Sequence, residues 1–276
     1  MIAFDFNYFK PSTISEAVDT FNEARERGEK TIYYSGGTEI ITFARVNKIT
    51  MDTVIDSKGI PECNVLEIQG DKLVIGAAVS LNKITESNLF PLLGQTVKKI
   101  ADHTSRNKIT IGGNLNSQLM YREAMLPLLV ANAKVRIAGK EGEEVLPLEK
   151  FFNKEIDEGK FLVQIIIDTQ YVDLPFISLK RTRMSKVGYP VVSLAALMKN
   201  QRIRVAFSGI SEHPFRSAVV EGVLNDRTLT VKERIDKAVA KLPASIVQDI
   251  HASAKYREFV LKNSLTDALE NMEGIK

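Results

Sequence analysis

The chain has 276 residues, of which 44% are hydrophobic and 26% charged, as is typical of a globular protein with one to three domains. Its formal net charge of +3 is too small to indicate nucleic-acid binding, and no apolar run approaches the roughly 20 residues of a membrane span. The single cysteine, Cys63, excludes an internal disulfide and an iron–sulfur cluster held by four cysteines of this chain.

These properties predict a cytoplasmic protein with no nucleic-acid and no membrane partner. The N-terminal residues lack the basic and then apolar regions of a secretory signal, so we expect none. A lone cysteine agrees with a reducing compartment. His103, His213 and His251 lie far apart without the paired spacing of zinc ligands, so no metal site is predicted.

The first 170 residues alternate between helix and strand patterns. Thr13 and Glu16 form a capping box, which predicts a helix that ends at Gly28. Strands are predicted at 31–34, 53–56, 65–69, 72–79, 133–138, 144–148 and 161–167, and further helices at 39–46, 81–85, 91–100 and 122–131. Continuous apolar residues in the last of these strands indicate burial on both faces.

The remaining residues have a different order, with strands first and helices afterwards. Strands are predicted at 176–183, 191–199 and 202–208, and helices at 230–241, 252–262 and 265–272. We therefore predict an α+β protein with domains at 1–170 and 171–276. The first domain is expected to divide into subdomains of about 1–55 and 56–170.

Two stretches each carry a glycine pair after a β-prone segment. Residues 34–40 read Tyr-Ser-Gly-Gly-Thr-Glu-Ile, and residues 109–116 read Ile-Thr-Ile-Gly-Gly-Asn-Leu-Asn. Glycine permits positive φ and close approach of a ligand to the main chain, and successive amides can bind an anion. One such pair is usually only a turn, but two predict loops that face one pyrophosphate. Neither a dinucleotide-binding nor a P-loop motif occurs.

Both stretches resemble motifs of one flavoprotein family. Residues 34–40 resemble the Ala-Gly-Gly-Thr-Asp motif of the FAD-binding subunits of molybdenum hydroxylases, which include those of xanthine dehydrogenase and carbon monoxide dehydrogenase. Residues 106–114 resemble the family's second motif, Ile-Arg-Asn-x-Ala-Thr-Ile-Gly-Gly-Asn, and residues 249–257 its C-terminal Asp-x-x-Ala-Ser-x-x-Tyr-Arg. The resemblance covers nearly the whole chain at family spacing.

The resemblance implies a vanillyl-alcohol-oxidase-type FAD-binding domain in two α/β subdomains, followed by a C-terminal domain with a small antiparallel sheet and helices. It implies FAD as the cofactor, with its pyrophosphate between the two glycine loops and with no catalytic side chain, because the flavin carries the chemistry. The implied cofactor-binding residues are Tyr34, Ser35, Gly36, Gly37, Thr38, Glu39, Ile40, Ile100, Thr110, Ile111, Gly112, Gly113, Asn114, Glu123, Leu162 and Lys180.

Some positions depart from the family pattern. Glu123 stands where the family usually has an aspartate that contacts the ribose or adenine side of FAD, in an altered segment, 118–123. It is either a ribose acceptor or a solvated charge favoured by a helix dipole. A lysine at position 180 would favour an anionic reduced flavin by Coulomb attraction. The substitutions Gly37→Val and Gly112→Val are expected to abolish FAD binding with the fold largely intact.

We therefore predict an FAD-dependent oxidoreductase subunit of the xanthine dehydrogenase type. Electrons would come from a molybdenum-cofactor large subunit through a [2Fe–2S] small subunit and pass through FAD to NAD or another acceptor. Two alternatives stay open. One is an independent FAD-dependent oxidase of the same fold, for which no substrate base is evident. The other is a non-catalytic assembly subunit with a decayed flavin site, which only the altered segment favours.

Overall fold

The computed structural model describes residues 1–153, 159–185 and 187–274. Contacts between residues divide the chain into two compact units, each assembled from three segments. Unit 1 comprises Met1–Ile84, His103–Ser117 and Ala133–Asp168. Unit 2 comprises Thr85–Asp102, Gln118–Asn132 and Thr169–Lys276. Elements are numbered along the whole chain.

Unit 1 contains a small parallel sheet of three strands. The strands are β1 (Asn7–Phe9), β2 (Thr31–Tyr34) and β3 (Thr53–Asp56), in the order β1-β3-β2. Parallel neighbours need crossover connections, and the helices α1 (Ile14–Glu26) and α2 (Thr38–Arg45) provide them. The carboxyl ends of β2 and β3 therefore lie together at one edge of the sheet, where the first glycine loop begins.

A second sheet in unit 1 has five antiparallel strands in the order β4-β5-β8-β6-β7. They are β4 (Leu66–Gln69), β5 (Lys72–Gly76), β6 (Lys134–Gly139), β7 (Gly142–Pro147) and β8 (Phe161–Asp168). The central strand, β8, has Phe161, Leu162, Val163 and Ile165 buried, as its continuous apolar sequence predicts. Shorter helices in this part of the chain are α3 (Leu81–Ser87), α5 (His103–Arg106), α6 (Ile111–Leu115) and α8 (Leu148–Asn153).

Unit 2 is built on one antiparallel sheet in the order β12-β11-β10-β9. Its strands are β9 (Phe176–Thr182), β10 (Pro190–Lys199), β11 (Arg202–Ser208) and β12 (Phe215–Arg216). Its helices are α4 (Pro91–Val97), α7 (Met125–Val130), α9 (Ala218–Leu224), α10 (Val231–Val239) and α11 (Ala254–Glu273). The α+β class with a small C-terminal antiparallel sheet is thus confirmed.

The C-terminal sequence motif has a structural role in unit 2. Arg257 is completely buried on α11 and donates to the carbonyls of Val191 and Gly209 at 2.7 and 2.8 Å. It also pairs with Asp249 at 2.7 Å. The two motif residues therefore tie the last helix to the sheet, which explains why arginine stands in an apolar core: each of these carbonyls and the carboxylate needs a donor.

The observed elements differ from the predicted ones mainly where the hydrophobic pattern is interrupted or very short. The helices predicted at 252–262 and 265–272 are one continuous helix, α11. Of the two polar residues between them, Asn263 and Ser264, the second is buried and donates to the Val260 carbonyl at 2.8 Å, so it does not end the helix. Strand β12 and helices α5, α6, α8 and α9 are too short to show a period, and the sequence does not predict them. Within the described residues no helix is long and apolar enough to cross a membrane.

Candidate functional site

The first glycine loop connects β2 to α2 in unit 1. Gly37 lies at φ +70° and is the N-cap of α2, without a side-chain cap. The amides of Gly37, Thr38 and Ile40 have no acceptor among the described residues. The hydroxyl of Ser35 is buried, and it too lacks a hydrogen-bond partner in the described part of the chain. A helix start with unsatisfied donors and an unpaired hydroxyl is suited to bind an anion.

The second glycine loop forms α6, and most of its amides are already bonded. The Thr110 side chain caps α6 by accepting from the Gly113 amide at 3.1 Å. The amides of Ile111 and Gly112 donate to the carbonyls of Val79 and Ala77, each at 2.9 Å. Those bonds anchor the loop to the segment that follows β5. The backbone amides that remain available to an anion are therefore mostly in the first loop. The sequence predicts instead that the backbone of both loops binds the pyrophosphate.

The two loops lie against each other. A Cβ on Gly36 would lie 2.0 Å from the Lys108 carbonyl oxygen and 3.2 Å from the Thr110 amide, so only glycine permits this approach. The Ser117 hydroxyl, just after the second loop, donates to the Glu39 carboxylate in the first. The structure thus joins in one place two motifs about seventy residues apart.

The same geometry corrects the expected effect of two substitutions. A Cβ on Gly112 would lie 2.8 Å from the backbone oxygen of Ala77, inside unit 1. A Cβ on Gly37 would lie 2.3 Å from the Tyr34 ring, at a positive φ that side chains rarely adopt. Valine at either position would therefore disturb the fold as well as the loop, and the expectation of an intact fold is wrong.

Gly113 differs from the other loop glycines. It is exposed, and the one atom within 4 Å of an added Cβ is the Thr110 hydroxyl oxygen at 3.0 Å, within the environment that the structure describes. A side chain here would occupy the space in front of the second loop with little internal clash. Gly113 is therefore the position at which loop access can be tested with the least damage to the fold.

A buried asparagine that sequence reasoning missed supports the second loop. Asn82 on α3 donates to the His103 carbonyl at 2.9 Å and to the Asn107 side chain at 2.7 Å. Its side-chain oxygen accepts from the Arg106 Nε at 3.1 Å. These bonds bind the basic segment before the glycine pair to α3. No sequence signal marked Asn82, because its partners lie more than twenty residues away.

Other predicted residues of unit 1 also contribute to packing. Tyr34 and Ile40 are half-buried and pack on the small core of Ala44, Met51 and Val54. Leu162 is buried on β8, beside a register shift between β8 and β6. Thr38 is exposed at the start of α2. Unit 1 therefore contains thirteen of the sixteen predicted site residues, from Tyr34–Ile40, Thr110–Asn114 and Leu162.

The other three predicted residues, Ile100, Glu123 and Lys180, belong to unit 2. Glu123 is only 5% exposed and pairs with the Lys180 ammonium at 3.0 Å. It also accepts from the Ser193 hydroxyl at 2.7 Å. Burial raises the pKa of Glu123, although Lys180 and Ser193 oppose that shift. The interpretation of Glu123 as a solvated charge is therefore wrong.

The ion pair also changes what Lys180 can do. Its ammonium donates to the Lys99 carbonyl at 2.9 Å as well as to Glu123. When both Lys180 and Glu123 are ionised, the pair has no net charge. This weakens the Coulomb preference for an anionic flavin that an unpaired lysine would supply.

The residues present fit a cofactor that carries a pyrophosphate. The first loop presents unsatisfied amides and the unpaired Ser35 hydroxyl, and the second loop lies against it. The sequence family described as "FAD binding domain in molybdopterin dehydrogenase" matches residues 4–169. The family described as "CO dehydrogenase flavoprotein C-terminal domain" matches residues 182–272. The chain therefore belongs to the FAD-binding subunits of the molybdenum hydroxylase family, and its cofactor is FAD.

Individual relatives are similar over almost their full length. The carbon monoxide dehydrogenase medium chain of Hydrogenophaga pseudoflava is 24% identical over 93% of this chain and 93% of its own. The glyceraldehyde dehydrogenase medium chain of Sulfolobus acidocaldarius is 23% identical over 94% of this chain and 95% of its own. A solved carbon monoxide dehydrogenase from Hydrogenophaga pseudoflava, which lacks the Mo-pyranopterin moiety, shares the fold with a TM-score of 0.89, at 22% identity and 99% coverage of both chains.

Proposed function

We propose that this chain is the flavin subunit of a hetero-oligomeric molybdenum hydroxylase. A large subunit with the molybdenum cofactor and a small [2Fe–2S] subunit would be its partners. When bound, FAD supplies electron exchange between the clusters of the small subunit and NAD or another acceptor. The observation that carries the proposal is the first glycine loop. Its helix start has no side-chain cap, and the buried Ser35 hydroxyl has no hydrogen-bond partner among the described residues, so both can donate to an anion.

We propose that unit 1 binds the pyrophosphate through its two loops. The donors of the first loop are the main-chain amides of Gly37, Thr38 and Ile40 and the Ser35 hydroxyl, and a helix start also favours negative charge. The second loop contributes the Thr110 hydroxyl, which can donate while it accepts from Gly113. The remaining residues proposed to bind FAD are Tyr34, Gly36, Ile111, Gly112, Asn114, Ile100, Leu162, Glu123 and Lys180.

The proposed domains are 1–170 for FAD binding, with subdomains of about 1–55 and 56–170, and 171–276 for the C-terminal part. A cytoplasmic location is proposed from the single, unpaired and buried Cys63. The relatives named above act on carbon monoxide and on an aldehyde, and xanthine-type specificity is kept only as a proposal. The substrate would be selected on the large subunit.

The alternative of a decayed flavin site loses its main support. That support was the altered segment at 118–123, and Glu123 in it forms a buried ion pair within unit 2. The departure from the family pattern therefore has a structural explanation. No contact among the described residues favours an independent oxidase.

Substitution at Gly113 tests the loop assignment. The wild-type chain is expected to bind FAD and to show its visible absorbance, because the first loop presents free donors. Gly113→Val should weaken FAD binding at least tenfold, because its side chain enters the space before the second loop. Equilibrium titration with FAD measures this affinity.

Addition of NADH in the absence of oxygen tests NAD as the redox partner. Reduction of the bound FAD would be seen as loss of its visible absorbance.

Gly222→Val is the matched control, because Gly222 is also an exposed helical glycine and an added Cβ there meets no atom within 4 Å. It should bind FAD as the wild type does. A folded wild-type chain that takes up no FAD contradicts the function. Equal affinity in Gly113→Val and wild type contradicts the assignment of the second loop.

A further inference from the structure

A charged network lies beneath the first glycine loop and was not part of either motif. Asp56, at the end of β3, is 1% exposed. Its carboxylate pairs with the Lys58 ammonium at 2.8 Å and accepts from the Lys58 amide at 2.9 Å. The Tyr8 hydroxyl donates to the same carboxylate, and this bond helps to raise the pKa of Tyr8 to about 12.

Lys58 extends from this carboxylate to the loop. Its ammonium donates to the Ser35 carbonyl at 2.6 Å and lies 4.5 Å from the centre of the Tyr34 ring. Three contacts therefore fix its position: a carboxylate, a carbonyl and an aromatic face. The neighbouring Ser57 hydroxyl donates to the Tyr34 carbonyl at 3.2 Å.

These bonds decide which way the loop amides point. In a trans peptide the C=O and the following N–H point in opposite directions. Because Lys58 holds the Ser35 carbonyl, the Gly36 amide must point away from Lys58. Because Ser57 holds the Tyr34 carbonyl, the Ser35 amide likewise points away from Ser57. The carbonyls of Tyr34 and Ser35 therefore face the two residues that follow β3, and the amides of Ser35 and Gly36 point away from those residues.

We infer that Lys58 is a positioning residue for the pyrophosphate site, which fixes the Ser35–Gly36 peptide that leads into the proposed FAD donors, the amides of Gly37, Thr38 and Ile40. The inference rests on the proposed loop assignment. Lys58 acts through the peptide, and its charge is balanced by Asp56. The side chain is 40% exposed, so its geometry depends on the three contacts rather than on burial.

Four variants test this role by FAD titration of the full chain. Lys58→Met should weaken FAD binding about tenfold, the effect of one charge-assisted hydrogen bond. Lys58→Arg should retain most of the wild-type affinity, because a guanidinium can reach both the Asp56 carboxylate and the Ser35 carbonyl. Lys48→Met is the matched control: Lys48 is also exposed in unit 1 and lies 4.4 Å from the Phe43 ring, but among the described residues it forms no hydrogen bond or ion pair with the first loop.

Loss of Lys58 alone leaves Asp56 buried without its cation, so the double variant Asp56→Asn/Lys58→Met removes the pair at constant net charge. It should fold and still bind FAD about tenfold more weakly than wild type. Its affinity should depend on salt as the wild type's does, because the pair carries no net charge.

The outcomes separate this inference from the proposed function. Absence of FAD binding in wild type contradicts the function itself. Wild-type affinity in the double variant overturns the positioning role, and so does failure of both lysine-free variants to fold, since Lys58 would then be structural only. A weaker salt dependence in the double variant would indicate direct contact between ammonium and phosphate, which also overturns it.

Discussion

At the scale of single residues, the two glycines of each pair differ in their structural constraints. Gly37 needs its positive φ, whereas Gly36 and Gly112 are required because backbone from elsewhere lies where a Cβ would be. Gly113 has neither constraint from the residues that the structure describes. The sequence shows only two glycine pairs, so these roles could not be separated before the neighbours of each residue were known.

Glu123 and Lys180 give the prediction at this scale. Lys180→Met leaves the buried Glu123 carboxylate without its cation, and we expect a loss of about 3–5 kcal/mol in the free energy of unfolding. The double variant Glu123→Gln/Lys180→Met should lose less, because neither charge is then stranded. Urea unfolding of the wild type, Glu123→Gln, Lys180→Met and the double variant measures the coupling between the two side chains.

The pH dependence has a defined sign. The raised pKa of Glu123 means that the folded chain holds this proton more tightly than the unfolded chain. Its contribution to stability is therefore fully present below the usual carboxyl range and is lost as the pH rises through the folded pKa. Glu123→Gln should lack this component of the pH profile.

Equal losses in the free energy of unfolding for Lys180→Met and the double variant would contradict the ion-pair interpretation.

At the scale of elements, the two glycine loops end in helix starts of opposite kinds. Helix α6 has a side-chain cap from Thr110, and its early amides bond to the segment after β5. Helix α2 begins at Gly37 without a side-chain cap. The capped start of α6 has its amides satisfied within the protein and therefore stabilises the fold. The uncapped start of α2, next to a hydroxyl without a partner among the described residues, is suited to bind a ligand.

Asn82 gives the prediction for the second loop. Asn82→Ala removes three hydrogen bonds between α3 and the segment before the glycine pair, and leaves buried partners unpaired. We expect a loss of about 1–3 kcal/mol in the free energy of unfolding. FAD affinity should fall as well, because the loop that follows is no longer held in place.

Thermal unfolding and FAD titration together check this prediction. Asn22→Ala on α1 is the control: Asn22 is half-buried in unit 1, and its side chain forms no hydrogen bond with another described residue. If Asn82→Ala matched that control in both measurements, Asn82 would have no role in supporting the loop.

At the scale of the whole molecule, these 276 residues supply a flavin site but not the thiolates of an iron–sulfur cluster. They include one cysteine, Cys63, and an iron–sulfur cluster needs several thiolates. Cys63 is completely buried, and burial raises the pKa of its thiol to about 12, which disfavours the thiolate. The iron–sulfur clusters of the proposed relay are therefore not held by these 276 residues.

Purification of the tagged chain from its native host tests where those clusters are held. We expect co-purification with a large subunit that contains molybdenum and a small subunit that contains iron. The tagged chain expressed alone should contain FAD but no iron. Metal analysis and flavin content of both preparations measure this. A native preparation that consists of this chain alone, and turns over a substrate, would instead support the independent oxidase.

Local sequence determined much of this protein. Periodicity and turn residues identified most strands, the α1 cap and the buried β8, and the glycine motifs identified the cofactor family, because these signals depend on neighbours along the chain. Tertiary structure decided the rest. The contact of Gly36 with Lys108, the Lys58 bond to Ser35, the Asn82 network and the Glu123–Lys180 pair join distant segments, and no local pattern encodes which distant groups will meet.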